Sequence, residues 1–290
     1  MILVGVLSTI ENEYEECIAS IQNQSYSEFD IFEIKNKPNK EAHDQLYSHF
    51  MNCCEDYWLF IKIDADMVIE DRHLFKKIVR AFTLNEKLDW LKIPVYDHFL
   101  NEHIYGVNVY RNCVKWKKNG ELYYTDRVHM MHTIREHERW KIPDEKILIH
   151  HCPNPGDFQS FHFGYHRMMK AVQPGCFLAL YKTIHWKAMK KLVNLYESDG
   201  SMKNLYALMG AECALVHGRN GESISYADHS TQSLFNEYKQ RVNGTGCSVE
   251  DLCPELTASI KKHHRIGYTE KYITFRFKAV SEKVASLLLG

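Results

Sequence analysis

Residues 57–66, Tyr-Trp-Leu-Phe-Ile-Lys-Ile-Asp-Ala-Asp, join an apolar run to two carboxylates, Asp64 and Asp66, separated by one residue. A run of this length and type reads as a buried strand. A strand ending in Asp-x-Asp delivers both carboxylates at its C-terminal edge, where open α/β sheets bind ligands. Two such groups suit a hard divalent cation, and a cation suits a phosphorylated substrate. The competing reading is that both aspartates cap a strand-to-helix turn, because Asp is a common N-cap.

A second dense cluster is Phe161-His-Phe-Gly-Tyr-His-Arg-Met-Met-Lys170. His162 and His166 stand four apart, so on a helix they share one face. Zinc could use that pair, but no Glu follows His162 as in metalloprotease helices. Arg167 and Lys170 suit a diphosphate, which they would neutralise; the plainer alternative is an amphipathic helix with solvated basic residues. His263-His264-Arg265 and the aromatic-rich Tyr268–Phe277 offer an acceptor surface, a subunit contact or a face for an anionic membrane, against the reading of a packed helical face.

These groups need elements to position them. Ile2–Leu7 reads as a buried strand running into the polar, cap-like Ser8-Thr9-Ile10-Glu11-Asn12. Tyr14, Cys17, Ile18 and Ile21 repeat with helical spacing. Phe29–Ile34 alternates as a second strand. A loop at Asn36–Asn39 leads to a helix through about Cys54, and the Asp-x-Asp strand follows. Leu74, Phe75, Ile78, Val79 and Phe82 form a helical stripe, and Trp90–Tyr96 is another strand. Ile104–Trp116 reads as one or two more strands, Asp126 precedes a helix through about His137, and Lys146–His151 is a short strand. Strands alternating with helices predict an α/β fold with a mostly parallel sheet flanked by helices. That domain, residues 1–155, closes at Pro153-Asn-Pro155-Gly156. Residues 156–290 read as mainly helical, marked by Trp186–Tyr196 and by Phe277–Leu288, with glycine-rich loops near 218–221 and 243–247. Trp58, Trp90 and Trp116 are expected in the core.

Composition narrows the function. The chain has 290 residues, 45% of them hydrophobic, and a net charge of −1. Nothing in that balance points to nucleic acid. The nine cysteines form no Cys-x-x-Cys pair. Their odd count, with no signal-peptide pattern, predicts reduced thiols and a cytoplasmic protein. No apolar stretch reaches the roughly 18 residues of a membrane span.

The first 150 residues resemble the family 2 glycosyltransferases of the GT-A fold. The resemblance rests on features in order: Ser8–Asn12 after the first strand; Ser20-Ile-Gln-Asn-Gln24-Ser-Tyr26, similar to the family's Ser-x-x-x-Gln-x-Tyr; Asn36 at the end of the second strand; Asp64-Ala-Asp66; the helix at Asp126; and the strand ending in His150-His151. It implies a nucleotide-sugar donor (UDP-, GDP- or dTDP-linked), a glycan or lipid-linked acceptor, and inversion at the anomeric carbon. It implies Mn²⁺ or Mg²⁺ held by Asp66, with Asp64 facing the ribose or a metal-bound water. One of His150 and His151 would complete the shell, since neighbouring strand residues point to opposite faces. Thr9, Glu11 and Asn36 would meet the nucleotide, although Asn36 stands where the family often has an acid and brings no charge. Asp126 would be the catalytic base, with Glu121 and Glu136 behind it.

The resemblance implies work in surface-polysaccharide synthesis, at the inner face of the membrane or free of it, with the C-terminal region as lid, acceptor platform or dimer surface. Two rivals stand beside it. A sugar nucleotidyltransferase would carry a glycine-rich phosphate loop after the first strand, and Ser8–Asn12 has no glycine. A non-catalytic binding or assembly protein would not need Asp64, Asp66 and Asp126.

Overall fold

The computed structural model describes residues 1–116, 134–172, 179–218, 229–242 and 248–263. β1 (Ile2–Ser8) is buried along its whole length, as its unbroken apolar sequence requires when both faces of a sheet are covered. Alternation sorts its side chains. Ile2, Val4 and Val6 join the core under α1 (Tyr14–Gln22) and α3 (Leu74–Leu84); Leu3 and Leu7 join the core under α2 (Asn39–Asn52). Gly5 lets α2 approach closely: a Cβ there would lie 2.5 Å from Leu46 and 2.7 Å from Phe60.

β1 is parallel to β2 (Phe29–Lys35) on one side and to β3 (Leu59–Asp64) on the other. Beyond β3 the directions mix. β6 (Glu102–Arg111) runs antiparallel to both β3 and β5 (Leu88–Asp97). β5 is parallel to β7 (Glu136–Arg139) and β8 (Ile149–His151), and β8 is antiparallel to β4 (Met67–Ile69). The strand order is β2-β1-β3-β6-β5-β8-β4, with β7 beside β5. The fold is therefore α/β with a mixed sheet, not the mostly parallel sheet expected from the sequence. The reason is the short turn at residues 98–101, where Asn101 takes a left-handed φ of 48°. So short a connection can only return the chain as a hairpin. Glu136–Arg139, expected to end a helix, forms β7 instead; Glu-His-Glu-Arg lacks the apolar periodicity that would announce an edge strand.

The order has a geometric consequence. β3 ends at Asp64 and β4 begins at Met67, so the connection spans about 11 Å at most. In a flat sheet, the path from β3 through β6, β5 and β8 to β4 would span about 19 Å. The sheet must curl, and the curl brings the β8–β4 edge over the C-terminal end of β3.

The Ser-x-x-x-Gln-x-Tyr signature helps hold that curl. Ser20 Oγ accepts the Ile69 N–H of β4 at 3.0 Å. Gln24 Oε1 accepts the Phe75 N–H at 3.1 Å, standing in for a cap on α3, while its Nε2 donates to Asp71 O at 3.1 Å. Each contact satisfies a backbone group that a strand edge or helix end leaves unpaired.

After His151 every described element is a helix: α4 (Asp157–Val172), α5 (Ala179–Asp199), α6 (Met202–His217), α7 (His229–Arg241), the short α8 (Val249–Leu252) and a helical stretch over 254–263. α6 is buried on all sides from Asn204 to Ala214, the pattern of a central helix. It crosses α4 at backbone contact. A Cβ at Gly164 would lie 1.6 Å from Ala207 O, and one at Gly210 would lie 1.8 Å from Phe161 O. The same helical core takes in Phe99, Leu100 and Cys152, so these helices rest directly on the sheet edge. No helix among the described residues is long and apolar enough to cross a membrane. Trp116 is buried; Trp58 and Trp90 pack partly buried against the sheet cores. The segments 219–221 and 243–247, His264-Arg265, Tyr268–Phe277 and the expected helix over Phe277–Leu288 lie outside the described residues.

Candidate functional site

Four chain segments meet at the curled edge: the end of β1, the β3–β4 turn, the end of β5 and the end of β8. Asp66 sits in the β3–β4 turn, and a strand, not a helix, follows it. The capping alternative for Asp64 and Asp66 therefore fails. Asp66 Oδ2 lies 3.4 Å from His151 Nε2 and accepts from the Cys152 thiol at 3.4 Å. Its other oxygen, Oδ1, is buried and accepts no hydrogen bond from the described residues. A buried carboxylate oxygen without a donor is costly, so Oδ1 is a candidate ligand atom. One ligand atom from each of Asp66, His151 and Cys152 lies within 4.8 Å of the other two. Among the described residues no other group of three or more such side chains is gathered this closely.

The two histidines separate by strand alternation. His151 turns toward Asp66. His150 turns away, with its Nδ1 at 2.8 Å from His98 Nε2 and its Nε2 at 3.7 Å from Glu70. His151 is fixed from behind. Its Nδ1 donates to Asp97 Oδ2 at 3.2 Å, and the Arg167 guanidinium donates to the same oxygen at 3.1 Å. Asp97 Oδ1 accepts the Phe99 and Leu100 N–H groups at 2.9 Å each. Burial alone would raise the Asp97 pKa, but His151, Arg167 and these backbone donors bring it down to about 2. Burial opposes charge on His151, yet Cys152, Asp66 and Asp97 outweigh it and lift its pKa well above the usual imidazole value. Burial likewise works against ionised Asp66, and His151, Cys152 and Lys62 overcome it and lower the pKa. Burial, with Asp66 close by, pushes the Cys152 thiol well up.

The β1 end adds two acids. Glu11 accepts the Thr9 N–H at 2.5 Å and the Thr9 hydroxyl at 3.0 Å. Thr9 therefore does not cap α1, whose N-cap Glu13 makes no side-chain capping bond. Burial raises the Glu11 pKa to about 7, with the Asp66 charge adding to it. Glu13 is buried and accepts from Asn154 N and Gln159 Nε2, both at 2.9 Å. Gln159 Oε1 in turn accepts the Asn12 N–H at 3.1 Å and the Gly156 N–H at 3.2 Å. These bonds clamp the first turn of α4 to the loop after β1.

Asp64 makes a different contact from Asp66. Both its oxygens accept from the buried Lys62 ammonium at 2.9 Å, the same-face neighbour two residues back on β3. Asn36 closes β2 with a left-handed φ of 55°, its N–H donating to Ser8 O at 2.9 Å. Its exposed side chain stands at the same sheet edge. Arg167 is engaged by Asp97 and lies over the Phe163 ring at 4.4 Å. Lys170 is a turn further along α4, near enough to His162 to help burial lower that imidazole to about 3. Glu136 accepts from Asn85 Nδ2 at 2.9 Å and pairs with Leu88 at the start of β5. That is the opposite end of the strand from Asp97, so Glu136 is remote from the cluster. Asp126 and Glu121 lie outside the described residues.

The sequence reading missed Glu13, Asp97, Cys152 and Gln159. Asp97 carried a usable signal, since it follows the apolar strand Trp90–Tyr96 much as Asp64 follows its own. Cys152 follows His151 directly. Gln159 has no signal in one dimension.

No protein-family model and no curated protein matches this chain. Among solved structures, the fold is similar to A197 from STIV, with TM-score 0.29 and 14% identity over 38% of this chain and 65% of that one. It is also similar to S. aureus TarS, with TM-score 0.33 and 10% identity over 80% of this chain and 50% of that one. The chain thus spans about two thirds and half of their lengths. Likenesses at this level do not bear on chemistry, which must be read from the site.

Proposed function

We propose that this protein is a metal-dependent, inverting glycosyltransferase that moves a sugar from a nucleotide-activated donor to a glycan or lipid-linked acceptor in surface-polysaccharide synthesis. The observation that carries the reading is the buried Oδ1 of Asp66, which has no donor among the described residues, beside His151 at the C-terminal edge of the sheet. A divalent ion there, Mn²⁺ or Mg²⁺ in the simplest form of the proposal, would be held by Asp66 and His151. When bound, it supplies stabilisation for the charge that develops on a departing diphosphate.

The chain's own residues do the rest. Asp97 and Arg167 hold the His151 ring in one orientation. Thr9, Glu11 and Asn36 line the β1 and β2 ends, where a nucleotide would lie. Asp64, with its charge matched by Lys62, is left to accept hydrogen bonds from a ribose. Lys170, a turn beyond Arg167 on α4, is the proposed phosphate contact. Asp126 is the proposed base that takes the acceptor hydroxyl's proton.

Isothermal titration with UDP, GDP and dTDP, each with and without Mn²⁺, tests the reading. We expect one nucleotide to bind in a metal-dependent way. Absence of metal-dependent binding for all three would favour a non-catalytic binding protein. Release of pyrophosphate from a nucleoside triphosphate and a sugar phosphate would favour a nucleotidyltransferase. For Asp126→Asn we expect turnover to fall by about 10²-fold or more while donor affinity holds. Equal loss of both would make Asp126 a structural residue.

A further inference from the structure

We infer that Cys152 is the third protein ligand of the cation in this site, which makes the site selective for a thiolate-accepting ion of the Zn²⁺, Co²⁺ or Fe²⁺ kind over Mg²⁺. The inference rests on the metal reading above and replaces its Mn²⁺ or Mg²⁺ with an ion of that kind.

Three observations support it. First, the Cys152 thiol donates to Asp66 Oδ2 at 3.4 Å, and Sγ belongs to the same 4.8 Å cluster as the carboxylate and the imidazole. Second, the cysteine is tied to Asp66 through its backbone as well, because its N–H donates to Asp66 O at 2.8 Å. It does so at a φ of 51°, where glycine or asparagine would cost less. A cysteine in this place is therefore not explained by the backbone. Third, the surroundings prepare the ligands. Asp97 accepts from the far nitrogen of His151, the carboxylate–histidine arrangement that orients metal-bound imidazoles. Gln159 Nε2 lies 4.0 Å from Sγ.

The ligand chemistry decides the ion. Mg²⁺ prefers oxygen ligands and near-ideal octahedral geometry. One carboxylate, one imidazole and one thiolate form instead the mixed three-ligand set that zinc-type ions accept, with a further position left for water or substrate. On coordination the Cys152 thiol proton and the His151 Nε2 proton both pass to solvent, and binding is accompanied by proton release.

The test is a Co²⁺ titration of the full chain followed by absorption. We expect visible d–d bands together with a near-ultraviolet thiolate-to-cobalt band. Cys152→Ser and Cys152→Asn should lose the near-ultraviolet band and weaken Co²⁺ binding at least about tenfold, with unchanged far-ultraviolet circular dichroism. Asn is included because it tolerates the left-handed backbone. Zinc-edge X-ray absorption on the unmutated protein provides a second measurement that needs no variant, and it should show one sulfur among the ligands. Persistence of the near-ultraviolet band in both variants, or a zinc shell of nitrogen and oxygen alone, overturns the inference. The two levels separate cleanly. If Asp66→Ala abolishes Co²⁺ uptake but the wild type never shows a thiolate band, the metal reading stands and Cys152 falls. If the wild type takes up no divalent ion, both fall.

Discussion

β5 carries a fully buried aspartate at each end, and the two ends differ in what their neighbours leave unfilled. At the start of the strand, Asp89 accepts from the Arg135 guanidinium at 2.6 to 3.2 Å, from the Arg135 N–H at 2.9 Å and from the Cys113 thiol at 3.2 Å; Arg111 lies at 3.9 Å. Burial would raise its pKa, but these partners lower it to about 2. At the other end, Asp97 is buried to the same degree, has its own arginine and is brought to the same range. The Asp89 network closes on itself. The Asp97 network continues through His151 to Asp66, whose Oδ1 has no donor among the described residues. A buried carboxylate paired with a guanidinium is thus a poor marker of a site on its own. The informative feature is a chain of satisfied groups that ends in an unsatisfied one.

The largest effect should come from the atom that ends the chain. Asp66→Ala is expected to reduce the proposed sugar transfer by about 10³-fold or more, with an unchanged far-ultraviolet circular dichroism spectrum. Full activity in that variant would make the Asp97 end as structural as the Asp89 end.

Next come the two β5 aspartates themselves. Asp89→Asn and Asp97→Asn each break a buried charge pair and should each cost about 3–5 kcal/mol in denaturant unfolding. Only Asp97→Asn should also weaken divalent-ion affinity, by about 10–100-fold. Equal metal affinity in the two variants would erase the contrast. The pH dependence has the same sign at both ends. Each carboxylate titrates lower in the folded chain, about 2, than its ordinary 3.8. The stability each contributes is therefore present above pH 3.8 and lost as pH falls toward 2. Both Asn variants should flatten that acid limb.

The smallest effect is expected at Glu11, and it runs the other way. Its folded pKa is raised, from 4.5 to about 7, by burial. Relative stability is then greatest below pH 4.5 and is lost as pH rises through about 7. Glu11→Gln should remove that decline in a pH series of thermal melts. An unchanged profile would separate Glu11 from the charge at Asp66.

Much of the sheet was legible because buried strands are written as apolar runs. β1, β2, β3 and β5 stand within a residue or two of their expected limits; α1 and α3 follow from stripes of 3.6-residue period, and α2 follows the loop at Asn36–Asn39 as expected. β7 was misread because a half-exposed edge strand carries no such stripe. The mixed directions were misread because periodicity carries no sign of strand direction. Asp66 and the His150-His151 pair drew attention because each ends an apolar strand; that His151 is the one facing Asp66 came from the structure. Asp97 was passed over although it meets the same description. Glu13 and Gln159 matter only as partners of one another across 146 positions.

The sequence by itself determined the alternation of strands and helices, the Asp-x-Asp at the end of β3 and the rule that only one of the adjacent histidines could face it. All of these follow from local periodicity and from the opposite faces of neighbouring strand residues. The tertiary structure alone decided that the β4–β8 edge curls back over β3 and that α4 sends Arg167 to Asp97. It also placed a cysteine with a left-handed backbone against the Asp66 carboxylate. These juxtapositions depend on strand order and curvature, which are set by packing between residues far apart in the chain.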